Sequence, residues 1–407
     1  MTCTRANRRA CAFIGLIVFF LLTATAVSAD CPYQTAPPAG NPLHLLVLGD
    51  SVMWGQGLKE EEKFSSRVKC WLQQRTNREV RLHVEAHSGA VISATVSAAP
   101  LFVTADGEVN LSFPTINQQL DHAIEFYQQN TAAPALILMN GCINDVGVKS
   151  LLAASTSLDD LHARAAKSCG EDMYLLLQRV RNSFPGAQIV VTSYYPIVSP
   201  LTDDNAFLRL LVKKLNNQGP EARRMSDKEM RQRLIAISDE WYKTSTTSLA
   251  EAVGRTNSLS VAGSTSPQVT FVEIQFGPEH VFAAPETLLW NFMFASTNVS
   301  GFAKIVVLLS FGTAAYKPND HMREARIKSC EQTFKKPKGV KENKTEKNAR
   351  KDLFLICRYA SLGHPNHMGA LIYTEAIKGR LLPLVEKAGW KRDVDSHLTL
   401  QRKDPQR

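Results

Sequence analysis

Four short stretches carry groups that could act together on a carbonyl carbon. Gly49-Asp50-Ser51 offers a hydroxyl, and Ser88-Gly89 offers a backbone N–H in a flexible position. Gly141-Cys142-Ile143-Asn144-Asp145 offers a side-chain amide, and "SLGHPNHMGA" (residues 361–370) offers an imidazole at His364. A serine hydroxyl is a weak nucleophile until a neighbouring base takes its proton, and the oxyanion formed on attack needs hydrogen-bond donors aimed at it. Hydroxyl, imidazole, amide and backbone N–H are together the parts for acyl transfer. Trp54, beside the Ser51 turn, either lines an acyl or alcohol pocket or packs, and Asp50 is expected to bond backbone within its own turn.

The elements that would position these groups alternate along the chain. Leu43–Leu48 is an apolar run bounded by Pro42 and Gly49, and residues 60–75 then place Phe64, Val68, Trp71 and Leu72 on one helical side. Strands follow over 80–86, 134–140, 187–194 and 268–276, with helices over 114–130 and 158–184. Near-continuous apolar strands separated by helices indicate a parallel sheet covered on both faces. In such sheets the site lies at the carboxyl ends of the strands, where all four stretches fall. Residues 203–252 read as charged helix broken at Gly219-Pro220, and Ile305–Phe311 as a short buried strand. The 85 or so residues between the fifth strand and the last helix are far more than a usual connection, so an insertion is expected around residues 200–351. Its stretch Phe276–Phe294 is apolar and aromatic, as either a lid or the insertion's own small core would be.

Competing motifs fail on their residues. Gly55-Gln56-Gly57 is followed by Leu58-Lys59-Glu60, so the last glycine of a dinucleotide fingerprint is missing, and there is no phosphate-binding G-x-x-x-x-G-K-[ST] loop. A G-x-S-x-G nucleophile elbow would need glycine at 53, where Met53 stands. No nucleotide cofactor is expected. His364 and His367 share a His-x-x-His spacing, but zinc needs a third and usually a fourth ligand, so no metal is expected and His367 is read as a helix-surface residue.

Arg5, Arg8 and Arg9 precede the apolar run Ala12–Val27 and the small residues Val27-Ser28-Ala29. This is the layout of a secretory signal peptide over residues 1–29, with a membrane anchor as the alternative. Without it six of the eight cysteines remain, an even number suited to an oxidising compartment. Pairing of neighbours along the chain gives Cys31–Cys70, Cys142–Cys169 and Cys330–Cys357, which makes Cys142 a disulfide partner and not a nucleophile. Asn-x-Ser/Thr sequons stand at Asn110, Asn298 and Asn343. Formal net charge is +9, and outside the signal arginines the excess sits in "KKPKGVKENKTEKNARK", residues 335–351. That run has no aromatic residue and reads as a solvated loop, which argues against nucleic-acid binding and leaves an anionic surface as a secondary contact.

With Gly49-Asp50-Ser51, Gly89, Asn144-Asp145 and the His-Pro-Asn run ending at Gly369 in this order, the chain resembles the SGNH or GDSL hydrolases over about residues 43–195 and 352–386. The resemblance implies a flavodoxin-like three-layer α/β/α fold with a five-stranded parallel sheet. It implies that Ser51 attacks an ester carbonyl with His364 as general base. It also implies an oxyanion hole formed by the backbone N–H groups of Ser51 and Gly89 and the amide of Asn144, without a cofactor. Lipid and acetyl esters both suit the family, and the apolar insertion favours lipids. The expected protein is a secreted esterase, with an inactive binding protein of the same fold or an acyltransferase as alternatives.

Two departures stand out. The family usually has Asp three residues before the histidine, where this chain has Ser361. Loss of the equivalent carboxylate in serine proteases costs about 10⁴ in kcat, mainly through the wrong imidazole tautomer. A backbone carbonyl, or a carboxylate from elsewhere such as Asp352 or Glu273, is expected to hold His364 instead. The second departure is Gly141, three residues before Asn144 where the family more often has two, which puts the role of Gly141 in question.

Overall fold

The computed structural model describes residues 41–94, 114–203, 225–258, 268–292, 317–336, 339 and 341–387. The expected signal-peptide segment, Cys31, the expected break at Gly219-Pro220, the expected strand Ile305–Phe311 and the sequons at Asn110 and Asn298 lie outside them.

Five apolar runs form one sheet: β1 (Leu43–Leu48), β2 (Val80–Val84), β3 (Leu136–Met139), β4 (Gln188–Thr192) and β5 (Val269–Val272). The order is β2-β1-β3-β4-β5 and every pairing is parallel. Parallel neighbours need a crossover, and helices supply it. The first is α2 (Phe64–Thr76), which follows the one-turn helix α1 (Ser51–Trp54). The next is α3 (Ile116–Gln129). After the one-turn helices α4 (Ile143–Val146) and α5 (Val148–Leu151) comes α6 (Leu158–Ala165), which runs through a π-helical stretch, Ala166–Asp172, into α7 (Met173–Ser183). Helix α8 (Asp227–Ser258) packs on α6, α7 and β5, and so is the crossover from β4 to β5.

Register fixes where the strand ends meet. Leu48 lies beside Met139, and Met139 beside Val191. The residues that follow, Gly49-Asp50, Asn140-Gly141 and Ser193-Tyr194, therefore emerge along one edge of the sheet. The central strands are solid core: Leu45 to Leu48 and Leu136 to Met139 are at most 1% exposed. Burying each such side chain contributes roughly 1.5–3 kcal/mol, so the two innermost strand ends are rigid supports.

After β5 come α9 (Arg323–Thr333), α10 (Lys344–Arg358) and the long final helix α11 (His367–Lys387). The reading of 335–351 as a loop needs correction, because α10 begins inside it. Asn343 caps α10 and exchanges hydrogen bonds with Glu346, and Phe334, Leu353, Phe354 and the Cys330–Cys357 disulfide form a small core between α9 and α10. The basic residues mask this pattern, whose apolar positions are few and come late. Cys142–Cys169 is also a disulfide, and Cys70 is disulfide-bonded while its expected partner, Cys31, lies outside the described residues.

Candidate active site

Ser51 opens α1 directly after β1. Asp50 is the N-cap, its Oδ1 accepting the Val52 N–H at 2.9 Å, and Gly55 ends the helix in the left-handed region at φ 81°. The expectation that Asp50 bonds its own turn is met, and the carboxylate does more. It is fully buried and also accepts from Asn140 Nδ2 at 3.1 Å and from the Tyr194 hydroxyl at 2.5 Å. Burial pushes the Asp50 carboxyl pKa up, and these donors oppose the shift. Gly49 precedes it at φ 144°, where a Cβ would lie 2.3 Å from Asn140 Oδ1. Gln119 closes the turn, with Oε1 accepting the Gly49 N–H at 2.8 Å and Nε2 donating to the Gly49 carbonyl at 2.9 Å.

His364 comes to this turn from 313 residues away. Its Nε2 lies 2.7 Å from Ser51 Oγ. For the hydroxyl to donate, Nε2 must be bare and the ring proton must sit on Nδ1. The residue keeps some solvent exposure as a whole, yet Nδ1 is buried and has no hydrogen-bond partner among the described residues. Burial brings the imidazole pKa down to about 4, with the Ser361 and Leu362 carbonyls pulling the other way. Those carbonyls are close enough to favour a proton on the ring, though neither makes a well-formed bond to Nδ1. At neutral pH the His364 imidazole is therefore uncharged, the state in which a histidine can take up a proton.

The oxyanion candidates join the same edge through the backbone. The His87 N–H donates to the Gly49 carbonyl at 3.0 Å, which lays the loop after β2 along the Ser51 turn. Gly89 follows at φ 77°. Asn144, in α4, donates one of its two amide N–H groups to the Ala90 carbonyl at 3.0 Å, and Asp145 accepts from the Ile92 N–H at 3.0 Å. Burial pushes Asp145 up to about 6. Among the described residues no hydrogen bond engages the backbone N–H of Ser51 or Gly89. Gly141 has its own reason to be glycine: a Cβ there would lie 2.6 Å from Ile116 Cδ1. Trp54 is partly buried, with the Lys63 ammonium 3.5 Å from its ring centroid.

Neither carboxylate suggested for the missing Asp takes the role. Glu273 accepts from the Tyr242 hydroxyl at 3.0 Å, and Asp352 is exposed on α10. The carboxylate that meets Ser361 is Asp320, whose Oδ2 accepts from Ser361 Oγ at 2.7 Å. His367 is exposed and stacks on His321, and no cluster of His, Cys, Asp or Glu suited to a metal occurs among the described residues.

Sequence reading missed Asn140, Gln119, Tyr194, Asp320 and Arg326. Asn140 had a signal, a lone polar residue closing the apolar run of β3; the others are joined to the site only by long-range contacts.

The chain matches no family model, and no curated protein matches it. Among solved structures it is similar to a family two carbohydrate esterase (an active-site mutant) from Clostridium thermocellum, at 11% identity over 86% of this chain and 66% of that one, TM-score 0.37. The chain thus spans slightly less than two thirds of that protein. It is also similar to phospholipase A1 from Streptomyces albidoflavus, at 11% identity over 84% and 99%, TM-score 0.38. An extracellular lipase from Streptomyces rimosus is similar at 14% identity over 61% and 87%, TM-score 0.35.

Proposed function

We propose that the protein is a serine ester hydrolase of the SGNH type that works through an acyl-enzyme on Ser51. The observation that carries this reading is the 2.7 Å approach of His364 Nε2 to Ser51 Oγ across the carboxyl edge of a parallel sheet. His364 takes the Ser51 proton as Oγ attacks the ester carbonyl, and then gives it to the leaving alkoxide. Water, deprotonated by the same imidazole, hydrolyses the acyl-enzyme. The backbone N–H groups of Ser51 and Gly89 and the second N–H of Asn144 receive the oxyanion; each such donor is typically worth about 2.7–4 kcal/mol in the transition state. No step calls for a cofactor.

The aromatic stretch after β5 packs Phe276, Phe282, Trp290 and Phe292 into the core, so it is no lid that would favour lipids; the substrate is a small-molecule or lipid ester. Trp54 lines its site. The disulfides agree with a secreted protein. The basic segment 335–351 is a secondary contact for anionic surfaces.

One observation favours the second reading, an inactive binding protein of this fold: His364 Nδ1 has no hydrogen-bond partner among the described residues. Labelling with a fluorophosphonate separates the two. The esterase reading expects stoichiometric labelling that disappears in Ser51→Ala and His364→Ala; a folded wild-type protein that does not label belongs to the second reading.

A further inference from the structure

Ser361 stands where the resemblance expects a carboxylate, and its hydroxyl is not idle. It donates to Asp320 Oδ2 at 2.7 Å and accepts from Arg326 Nη2 at 3.1 Å. Arg326 in turn holds Asp320 with two bonds, Nη1 to Oδ1 at 2.8 Å and Nη2 to Oδ2 at 2.5 Å. Both side chains of this ion pair are fully buried, and so is Ser361. A buried pair is costly to desolvate and seldom retained for stability alone, so its location calls for an explanation.

That location is the joint between the two catalytic turns. The Ser361 carbonyl accepts the His364 N–H at 3.0 Å, so Ser361 is the first residue of the turn that presents the imidazole. On the other side lies Gly57, three residues past α1, at φ 84°; a Cβ there would lie 2.9 Å from Ser361 Cβ and 3.0 Å from Asp320 Cβ. The Met322 N–H donates to the Gly57 carbonyl at 3.3 Å. Trp290 closes the joint, its N–H donating to the His364 carbonyl at 2.7 Å and its carbonyl accepting the Gly363 N–H at 3.0 Å.

We infer that Asp320, gripped by Arg326, is the positioning acid of the histidine turn and acts through the Ser361 hydroxyl in place of a carboxylate at 361. By holding Ser361, whose carbonyl accepts the His364 N–H, it fixes the turn that aims Nε2 at the Ser51 hydroxyl, and a hydroxyl that donates to Nε2 leaves the ring proton on Nδ1. The charged groups that act on His364 support this arrangement: Arg326 disfavours the imidazolium, and Asp320 offsets it. The inference rests on the esterase reading for its catalytic consequence, but not for its structural content.

The test therefore reads two quantities in the full-length protein. One is the His364 ring tautomer, from its ¹⁵N chemical shifts; the other is the rate of fluorophosphonate labelling at neutral pH. Wild type is compared with Asp320→Asn and with Ser361→Ala, the latter leaving the buried ion pair whole so that it folds even if the former does not. The expected result is a wild-type ring protonated on Nδ1, a mixture of tautomers in each folded variant, and labelling at least tenfold slower. A folded variant with the wild-type tautomer, or with a mixed tautomer and an unchanged labelling rate, overturns the inference. If wild type itself fails to label, the esterase reading has failed, and the tautomer comparison alone decides whether Asp320 positions the ring.

Discussion

The two turns that meet at the site are braced in different ways. The Ser51 turn is held by groups from the sheet's own layers: Gln119 from α3, Asn140 at the end of β3 and Tyr194 after β4. The His364 turn is held by residues from the long stretch after β5, namely Trp290, Asp320 and Arg326, and also by Tyr195 after β4, whose hydroxyl donates to the Gly363 carbonyl at 2.8 Å. Every polar group around Asp50 comes from a frame whose register is set by buried strands. Around His364, Tyr195 and Trp290 belong to the main core, while Arg326 lies on α9, which shares a disulfide and a small core with α10. The Ser51 turn is thus held by the sheet's own layers, whereas the His364 turn also leans on α9 and the segment before it. The base side is where this protein departs from the pattern it resembles.

Breaking either turn at its reacting atom has the largest expected effect. Ser51→Ala and His364→Ala each reduce labelling and ester hydrolysis to background, a loss of ~10³-fold or more, measurable by burst kinetics. Equal losses would show that the two turns act as one unit despite their different supports.

Asn144→Ala comes next, at about 10²–10³-fold in kcat with little change in KM, since the amide would act only on the oxyanion. A rise in KM with unchanged kcat would place Asn144 in ground-state binding instead.

A pH titration probes the base side alone. With the His364 pKa brought down to about 4 by burial, the base is neutral above that value and protonated below it. The rate therefore stays flat from neutral pH to about pH 5, and falls to about a tenth by pH 3. A limb near 6.5 would mean that the imidazole is solvated in the working enzyme.

Tyr194→Phe probes the nucleophile side and has the smallest effect on rate. It removes a hydrogen bond to a buried carboxylate, so the expected loss is about 1.5–3 kcal/mol in urea unfolding, with most of the activity retained. A collapse of activity at unchanged stability would make Tyr194 part of the catalytic geometry.

How much was legible follows the same division. Gly49-Asp50-Ser51 could be read because an apolar strand followed by a turn and a helix is a local pattern, as is the amphipathic run behind His364. Helix α10 was hidden by its charges, because periodicity is weak evidence where few positions are apolar. Nothing in "PNDHMREARIKSC" distinguishes Asp320 from any other surface-type carboxylate, Glu273 and Asp352 included.

By itself, then, the sequence determined the order of strands and crossovers, the identity of the hydroxyl and imidazole, and the vacancy at 361, since these depend on residue type and on neighbours within a turn or two. Only the tertiary structure decided that Tyr194 reaches Asp50 across 144 positions and that Asp320 reaches Ser361 across 41. Such contacts are set by how whole elements pack and by which buried polar groups must be satisfied together, and no local spacing encodes that requirement.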